Sequence, residues 1–328
     1  MVLVLTLWVG VEPQSGLLAE TAVSTSTLPY EPDHYGLVYL YTHSDWGPDK
    51  RAEMDAALAD AKANGVTTVV QTFAASLVGT AETDNWLVFL DAAAAAEIDV
   101  VAYLWPRTTY PVVGGPFIYD DLKAFLDVVG DHPALIGYIG LHEPLEPLME
   151  ISAEEMRDFY TEMKSYAPHL LVGHYMGNMA YAEAHRTDGW AFSDGMCDLC
   201  LIWYYPFETI DGVDVYDAAG VETAVSENLA LAAERDPDAQ IWFLGQSFAA
   251  PDTFPRHLRM PTADEMEALY LLVMAHPVDG FFWYPWNHTE AYDQVLCDPG
   301  LEDQQDKVGD IGDTYVRLPK VFMPVVMK

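Results

Sequence analysis

The residues with the clearest chemical potential lie in the segment 132–147, HPALIGYIGLHEPLEP. The apolar run 134–141 predicts a buried strand that ends at Glu143. Pro144 supplies no backbone N–H and restricts Glu143 to extended conformations, so we expect the strand to stop there with a fixed geometry. Functional groups of parallel α/β sheets gather at the carboxyl ends of the strands, and Glu143 is therefore our first candidate for proton transfer.

The elements that would position Glu143 alternate regularly between apolar, β-rich runs and segments with helical periodicity. Eight runs predict strands, at residues 37–41, 66–73, 99–105, 134–141, 169–175, 197–205, 240–248 and 278–286. Two of the intervening helices begin with a capping-box pattern, Ser152 with Glu155 and Thr262 with Glu265. Eight such units predict an α/β fold, a single-domain (β/α)8 TIM barrel over residues 35–297. Residues 1–34 and 298–328 are predicted to be N- and C-terminal extensions.

A doubly wound sheet is the alternative to a barrel. Such a sheet would carry a glycine-rich phosphate turn after its first strand, where this chain reads YTHSDWG. We therefore favour the barrel and predict no dinucleotide cofactor.

Composition excludes several classes of partner. Fifteen Lys and Arg against 51 Asp and Glu give a formal charge of −36, so nucleic-acid backbones and anionic membrane surfaces would repel the chain. The apolar run near the N-terminus spans about ten residues, too few for insertion across a membrane. Cys197 and Cys200 form a C-x-x-C without the second ligand pair that zinc requires, and Cys200 is interpreted as a small buried hydrophobic residue.

In a barrel, the carboxyl ends of all strands converge on one mouth, and here they are rich in aromatic and polar residues. Sugars offer C–H faces that stack on aromatic rings and hydroxyls that need several polar partners, so this mouth predicts a carbohydrate ligand. Burial among such rings would raise the pKa of Glu143, as a general acid requires. The candidate substrate-binding residues are Trp105, His142, His174, Trp203, Tyr205, Gln246, Trp283 and Trp286.

These strand ends resemble the (β/α)8 glycoside hydrolases of clan A, and within them a bacterial secreted group. The shared motifs are Glu143-Pro144, Tyr205-Pro206, Gln246 with Phe248, and Tyr284-Pro285-Trp286. The resemblance implies that Glu143, which ends the fourth strand, is the general acid. The chain departs from the group at His142 and Trp203, where the group tends to carry Asp, and from the clan at Gln246, where the nucleophilic Glu would stand.

Glycoside hydrolysis usually needs a second carboxyl group. Asp45 is our first candidate because it follows the first strand directly, and its alternative role is to cap the following loop or helix. Glu208, Asp211, Asp252 and Glu290 could also supply the charge from loops.

Two other interpretations stay open. The departures at His142, Trp203 and Gln246 also fit a catalytically inactive barrel that binds carbohydrate or serves a structural role at the cell surface. A metal at His43, His142, His174 and Glu143 has suitable ligand types but lacks a recognised spacing, so we predict no metal.

Both chain ends favour export. The N-terminal apolar run fits a signal-peptide core, although no basic residue precedes it, and the tail VRLPKVFMPVVMK resembles those that close many secreted bacterial proteins. We expect a secreted or cell-surface protein.

Overall fold

The computed structural model describes residues 32–39, 50–73, 78–104, 119–145, 151–251, 256–285 and 293–316. All structural statements below concern these residues.

Eight parallel strands close into a barrel. They follow the order β1, β2, β3, β4, β5, β6, β9 and β11 around the ring, and β11 pairs with β1 to complete it. This arrangement confirms the predicted (β/α)8 TIM barrel. The strands are β1 (His34–Tyr39), β2 (Thr68–Phe73), β3 (Asp99–Leu104), β4 (Leu135–His142), β5 (Leu171–Tyr175), β6 (Leu199–Trp203), β9 (Gln240–Gln246) and β11 (Gly280–Tyr284).

Eight helices accompany the strands in the described residues, and two of them begin with the predicted capping boxes, at Ser152 and Thr262. No helix in these parts of the chain has both the length and the apolar character needed to cross a bilayer. The eighth helix belongs to the range predicted as the C-terminal extension. The helices are α1 (Arg51–Ala63), α2 (Ala81–Ala95), α3 (Tyr119–Val129), α4 (Ala153–Tyr166), α5 (Met179–His185), α6 (Ala218–Arg235), α7 (Ala263–Val273) and α8 (Glu302–Ile311).

Side chains alternate along each strand between two hydrophobic layers. One layer fills the barrel interior, and the other lies between the strands and the helices. On β3, for example, Tyr103 belongs to the interior cluster and Leu104 to the helix-side cluster. This period of two follows from strand geometry and decides which residues can reach the barrel mouth.

A β-bulge in β4 interrupts this alternation just before the candidate site. The register between β4 and β5 shifts between Ile139 and Leu141. Ile139 faces the interior, whereas a side chain at Gly140 would meet the Phe159 ring of α4, and Leu141 packs in the helix-side layer. Because two consecutive residues face outward, His142 faces the interior, which strict alternation would not allow.

Two short antiparallel pairs follow the sixth and seventh barrel strands, and neither was predicted. One is a hairpin of β7 (Phe207–Ile210) and β8 (Val213–Tyr216). Its turn places Asp211 and Gly212 at φ of 52° and 76°, which is the Asp-Gly signature of a type I′ turn. The other pair joins β10 (Phe248–Ala249) to β12 (Gln294–Val295).

Cys197 and Cys200 are joined by a buried disulfide at the start of β6. Cys200 is buried within β6, as expected, but its disulfide to Cys197 was not predicted. The two sulfurs meet because one cysteine precedes the strand and the other lies within it.

Barrel closure predicts a strong effect at Gly36, where β1 approaches β2 closely. A Cβ there would collide with the backbone carbonyl of Thr68, which cannot move without breaking the sheet. We expect Gly36→Ala to lower the free energy of unfolding by about 3 kcal/mol or more. Gly140→Ala should cost less, because its Cβ meets the movable Phe159 ring. Equal losses in chemical denaturation would contradict this account.

Candidate functional site

Glu143 directly follows β4 and lies at the carboxyl end of the barrel. Its backbone N–H donates a 2.9 Å hydrogen bond to the carbonyl oxygen of Tyr175 at the end of β5. Its φ is 50°, so the extended conformation predicted from Pro144 was wrong. Pro144 disfavours the right-handed helical region, and the chain adopts the left-handed one instead. A non-glycine residue there carries strain of about 1 to 2 kcal/mol, a feature found more often at functional sites than elsewhere.

Burial raises the pKa of Glu143 from its ordinary 4.5 to about 7. The Glu143 side chain is nevertheless 29% exposed, so a ligand or water can reach the carboxyl. Two tyrosines lie near it, Tyr175 and Tyr205, and Glu143 contributes to the raised pKa of both, after burial and the nearby Tyr284. Near neutral pH, Glu143 can therefore hold or release a proton.

A chain of polar contacts leads from Glu143 back into the barrel. The Tyr103 hydroxyl lies 2.7 Å from Nδ1 of His142, and Nε2 of His142 lies 3.5 Å from a carboxyl oxygen of Glu143. Burial lowers the pKa of His142 to about 4, so its ring is neutral near pH 7.

Aromatic rings surround this chain and form what we call the aromatic cup. The planes of Trp203 and Tyr205 differ by 22° with centroids 6.5 Å apart, and both side chains are partly exposed. Tyr175 lies 6.1 Å from Trp203 and 6.2 Å from Tyr284. These accessible, near-parallel rings offer apolar faces, and one of them, Tyr205, lies close enough to Glu143 for its pKa to be raised by that carboxyl. The cup comprises Tyr103, His142, Tyr175, Trp203, Tyr205, Phe248 and Tyr284.

Sequence reasoning missed four members of the cup as binding residues, Tyr103, Tyr175, Phe248 and Tyr284. The signal was present, because each lies within two positions of a predicted site residue. Counting the period of two outward from one known interior residue on each strand would have identified them.

The same alternation places His174 outside the cup. Its neighbour Tyr175 faces the interior, so the His174 ring packs in the helix layer, 5.5 Å from Phe159. The ring is fully buried, and its Nδ1 accepts a 3.2 Å hydrogen bond from the Leu141 backbone N–H. The predicted substrate contact is not supported by this position.

Trp283 lies outside the cup for the same reason. It is fully buried on the helix side, and its indole N–H donates a 3.0 Å hydrogen bond to the Tyr35 hydroxyl. Tyr35 in turn donates to the carbonyl oxygen of Val308 in α8, at 2.9 Å. Trp283 therefore links β11, β1 and α8 instead of forming a ligand platform.

The side-chain amide of Gln246, at the end of β9, forms hydrogen bonds with backbone groups and is not free to bind a ligand. Its Oε1 accepts from the Phe207 N–H at 3.1 Å, and its Nε2 donates to the carbonyl oxygens of Phe207, Phe248 and Arg259 at 3.2, 3.2 and 2.9 Å. The amide is fully buried and anchors the β7–β8 hairpin to the barrel. This position does not support the predicted contact with a substrate hydroxyl.

The remaining predicted site residues, Asp45, Trp105 and Trp286, lie outside the described residues. Of the alternative carboxylates, Glu208 forms an ion pair with Arg256, and Asp211 occupies the hairpin turn. Asp252 and Glu290 also lie outside the described residues. Among the residues that are described, no carboxylate contributes to the raised pKa of Glu143; burial is its cause.

A groove of about 650 Å³ runs along the β7–β8 hairpin near the cup. Arg256 connects the two, because its guanidinium donates a 3.1 Å hydrogen bond to the carbonyl oxygen of Tyr205 and pairs with Glu208 in the groove wall.

The described residues contain no group of three or more His, Cys, Asp or Glu side chains that could hold a metal ion. For the alternative metal site, His174 faces the helix layer while His142 faces the interior, and His43 lies outside the described part of the chain.

Comparison with solved structures finds similar barrels. A GH5_18 protein from Streptomyces cattleya, in complex with GlcNAc, superposes with a TM-score of 0.60 at 14% identity, over 89% of this chain and 83% of that one. An exo-beta-1,4-mannosidase from Opitutaceae bacterium strain TAV5 gives 0.61 at 13% identity, over 88% of this chain and 60% of its own length. At these identities the likeness shows a shared (β/α)8 barrel fold. No protein-family model and no curated protein matches the sequence.

The positions of Trp283 and Trp203 predict losses of stability of different size when each is replaced by Phe. Trp283→Phe removes a buried indole and its hydrogen bond to Tyr35, so we expect the free energy of unfolding to fall by about 2 to 3 kcal/mol. Trp203→Phe changes a partly exposed ring in the cup and should cost about 1 kcal/mol or less. Chemical denaturation of both variants measures this, and a reversed order would place Trp283 in the cup.

The buried carboxyl of Glu143 predicts a pH-dependent penalty on stability. The pKa of this carboxyl is ordinarily 4.5 and is about 7 in the folded protein. The free energy of unfolding is therefore highest below pH 4.5, and it falls as the pH rises through 7. At about pH 8 the loss reaches up to about 3 kcal/mol. We expect Glu143→Gln to be more stable than the wild type by about 1 to 3 kcal/mol there, and equal to it below about pH 4.5.

The control for this measurement is Glu227→Gln, at an exposed carboxylate on α6. It should show no such pH-dependent difference. A constant effect of Glu143→Gln across the pH range would show that Glu143 titrates as an ordinary carboxylate.

Proposed function

We propose that this chain binds a poly- or oligosaccharide in the aromatic cup and hydrolyses a glycosidic bond, with Glu143 as the general acid. The observation that carries the proposal is the position of Glu143 at the end of the fourth barrel strand, with its pKa raised to about 7. A general acid must be protonated at working pH, and burial meets that requirement here.

The cup offers what a sugar ring needs. Trp203 and Tyr205 present accessible, near-parallel faces that can stack on C–H surfaces. Tyr175 adds a buried hydroxyl for which the described residues provide no hydrogen-bond partner. The structural neighbours, an exo-beta-1,4-mannosidase and a GH5_18 protein with bound GlcNAc, also act on or bind sugars and support the proposal.

A second candidate function is a barrel that binds carbohydrate at the cell surface without hydrolysing it. Gln246 supports this alternative, because it occupies the strand end where clan A places its nucleophile and its amide is committed to backbone groups. Turnover then requires a carboxylate about 5 to 10 Å from Glu143, for which Asp45 stays our candidate.

We also propose that the protein is secreted or displayed at the cell surface. The Cys197–Cys200 disulfide supports this, because disulfides persist mainly in oxidising compartments outside the cytosol.

The proposed function predicts that one substitution separates binding from turnover. A glycan array would identify the ligand, and product analysis would then compare the wild type with Glu143→Gln. We expect the variant to bind the same glycan and lose about 10²- to 10⁴-fold in kcat. In the wild type, kcat/KM should fall as pH rises above about 7, because the general acid loses its proton.

Glu227→Gln is the matched control, with full activity expected. Wild-type binding without any product would favour the non-hydrolytic barrel. An equal loss in both variants, or an unchanged rate in Glu143→Gln, would remove Glu143 from the mechanism.

A further inference from the structure

We propose that His142 is a positioning residue whose neutral ring hydrogen-bonds Glu143 in both protonation states of that carboxyl, by exchanging its single proton between Nδ1 and Nε2. Tyr103 is the second partner that makes the exchange possible. The proposal rests on the proposed role of Glu143 as a group that must both hold and release a proton.

The geometry places the imidazole between the two oxygen groups. Nδ1 faces the Tyr103 hydroxyl at 2.7 Å, and Nε2 faces the Glu143 carboxyl at 3.5 Å. The second distance is slightly long for a hydrogen bond, and a small rotation of the Glu143 side chain closes it, as is common in sites without ligand. The β4 bulge is what points His142 inward to this position.

The surroundings favour a neutral ring. Among the described residues, the titratable groups that face His142 are Tyr103 from β3, Tyr175 from β5, whose ring lies 5.5 Å away, and Glu143. Tyr205 lies close enough to Glu143 for its pKa to be raised by that carboxyl. Desolvation outweighs these neighbours and keeps the imidazole uncharged near pH 7.

A neutral imidazole has one donor and one acceptor, and a hydroxyl can serve as either. With Glu143 ionised, Nε2–H donates to the carboxylate while Nδ1 accepts from the Tyr103 hydroxyl. With Glu143 protonated, its O–H donates to Nε2, and Nδ1–H donates to the Tyr103 oxygen, whose own hydrogen rotates away from the ring.

The change from the ionised to the protonated state of Glu143 takes up one proton in total. As the pH falls, the carboxylate gains the Nε2 proton, Nδ1 gains the Tyr103 proton, and the Tyr103 oxygen takes up one proton from the solvent. The ring carries one proton before and after. Neither state leaves a buried ring nitrogen without a partner, so His142 supports Glu143 as an acid and as a base.

The test is ¹⁵N NMR of the full chain labelled at histidine, titrated from about pH 5 to about pH 9, because the two tautomers have distinct nitrogen shifts. We expect His142 to change from Nδ1–H to Nε2–H with a midpoint at the pKa of Glu143, without becoming doubly protonated. In Glu143→Gln the change should disappear. A single tautomer throughout, or an imidazolium forming near pH 6.5, would overturn the proposal.

Tyr103→Phe tests the second partner. Without the hydroxyl, Nδ1–H loses the acceptor that Tyr103 supplies, so the population of the Nε2–H form should rise and the midpoint should fall by about one pH unit. Tyr138→Phe is the matched control, because it removes a buried hydroxyl on the helix side of β4. Equal shifts in the two variants would show a general structural effect and refute the role of Tyr103.

The readout does not depend on turnover. If the tautomer changes but no glycan is cleaved, the role of His142 stands and the proposed hydrolysis fails. If Glu143→Gln abolishes turnover while His142 keeps one tautomer, hydrolysis stands and this inference fails.

Discussion

The alternation of side chains along the closed barrel is the constraint on which the candidate site depends. Each strand residue faces either the interior or the helices, so the eight strand ends can deliver only about one side chain each to the mouth. Tyr103, Tyr175 and Tyr284 reach the cup, whereas His174 and Trp283, each adjacent to a cup residue, are held in the helix layer. This division between interior-facing and helix-facing side chains decides which groups can surround Glu143.

One exception to the alternation creates the most specific feature of the site. The bulge between Ile139 and Leu141 turns two residues outward and His142 inward, beside Glu143. The next residue, Glu143, has a left-handed backbone conformation. Bulges and strained residues often re-aim side chains near functional sites, and here both occur within four residues of the same strand end.

Much of the fold could be predicted from the sequence, because hydrophobic runs and helical periodicity report burial directly. The eight strands, the two capping boxes and the position of Glu143 were of this kind. The β7–β8 hairpin was missed although Asp211-Gly212 is a recognised turn signal. The role of Gln246 could not be predicted, since it depends on the backbone of Phe207 and Arg259, which long-range folding brings to it. His142 was predicted at the mouth from its place at the strand end, but the bulge that turns it inward leaves no mark in residue type.

The central claim is that burial in the aromatic cup keeps the Glu143 carboxyl protonated near neutral pH. The most direct measurement is a ¹³C NMR titration of protein labelled at the glutamate side-chain carboxyls, with the Glu143 signal assigned by its loss in Glu143→Gln. The account predicts a midpoint at about pH 7. A midpoint near the ordinary 4.5 would contradict it, because the carboxyl would then be ionised at neutral pH and unable to donate a proton.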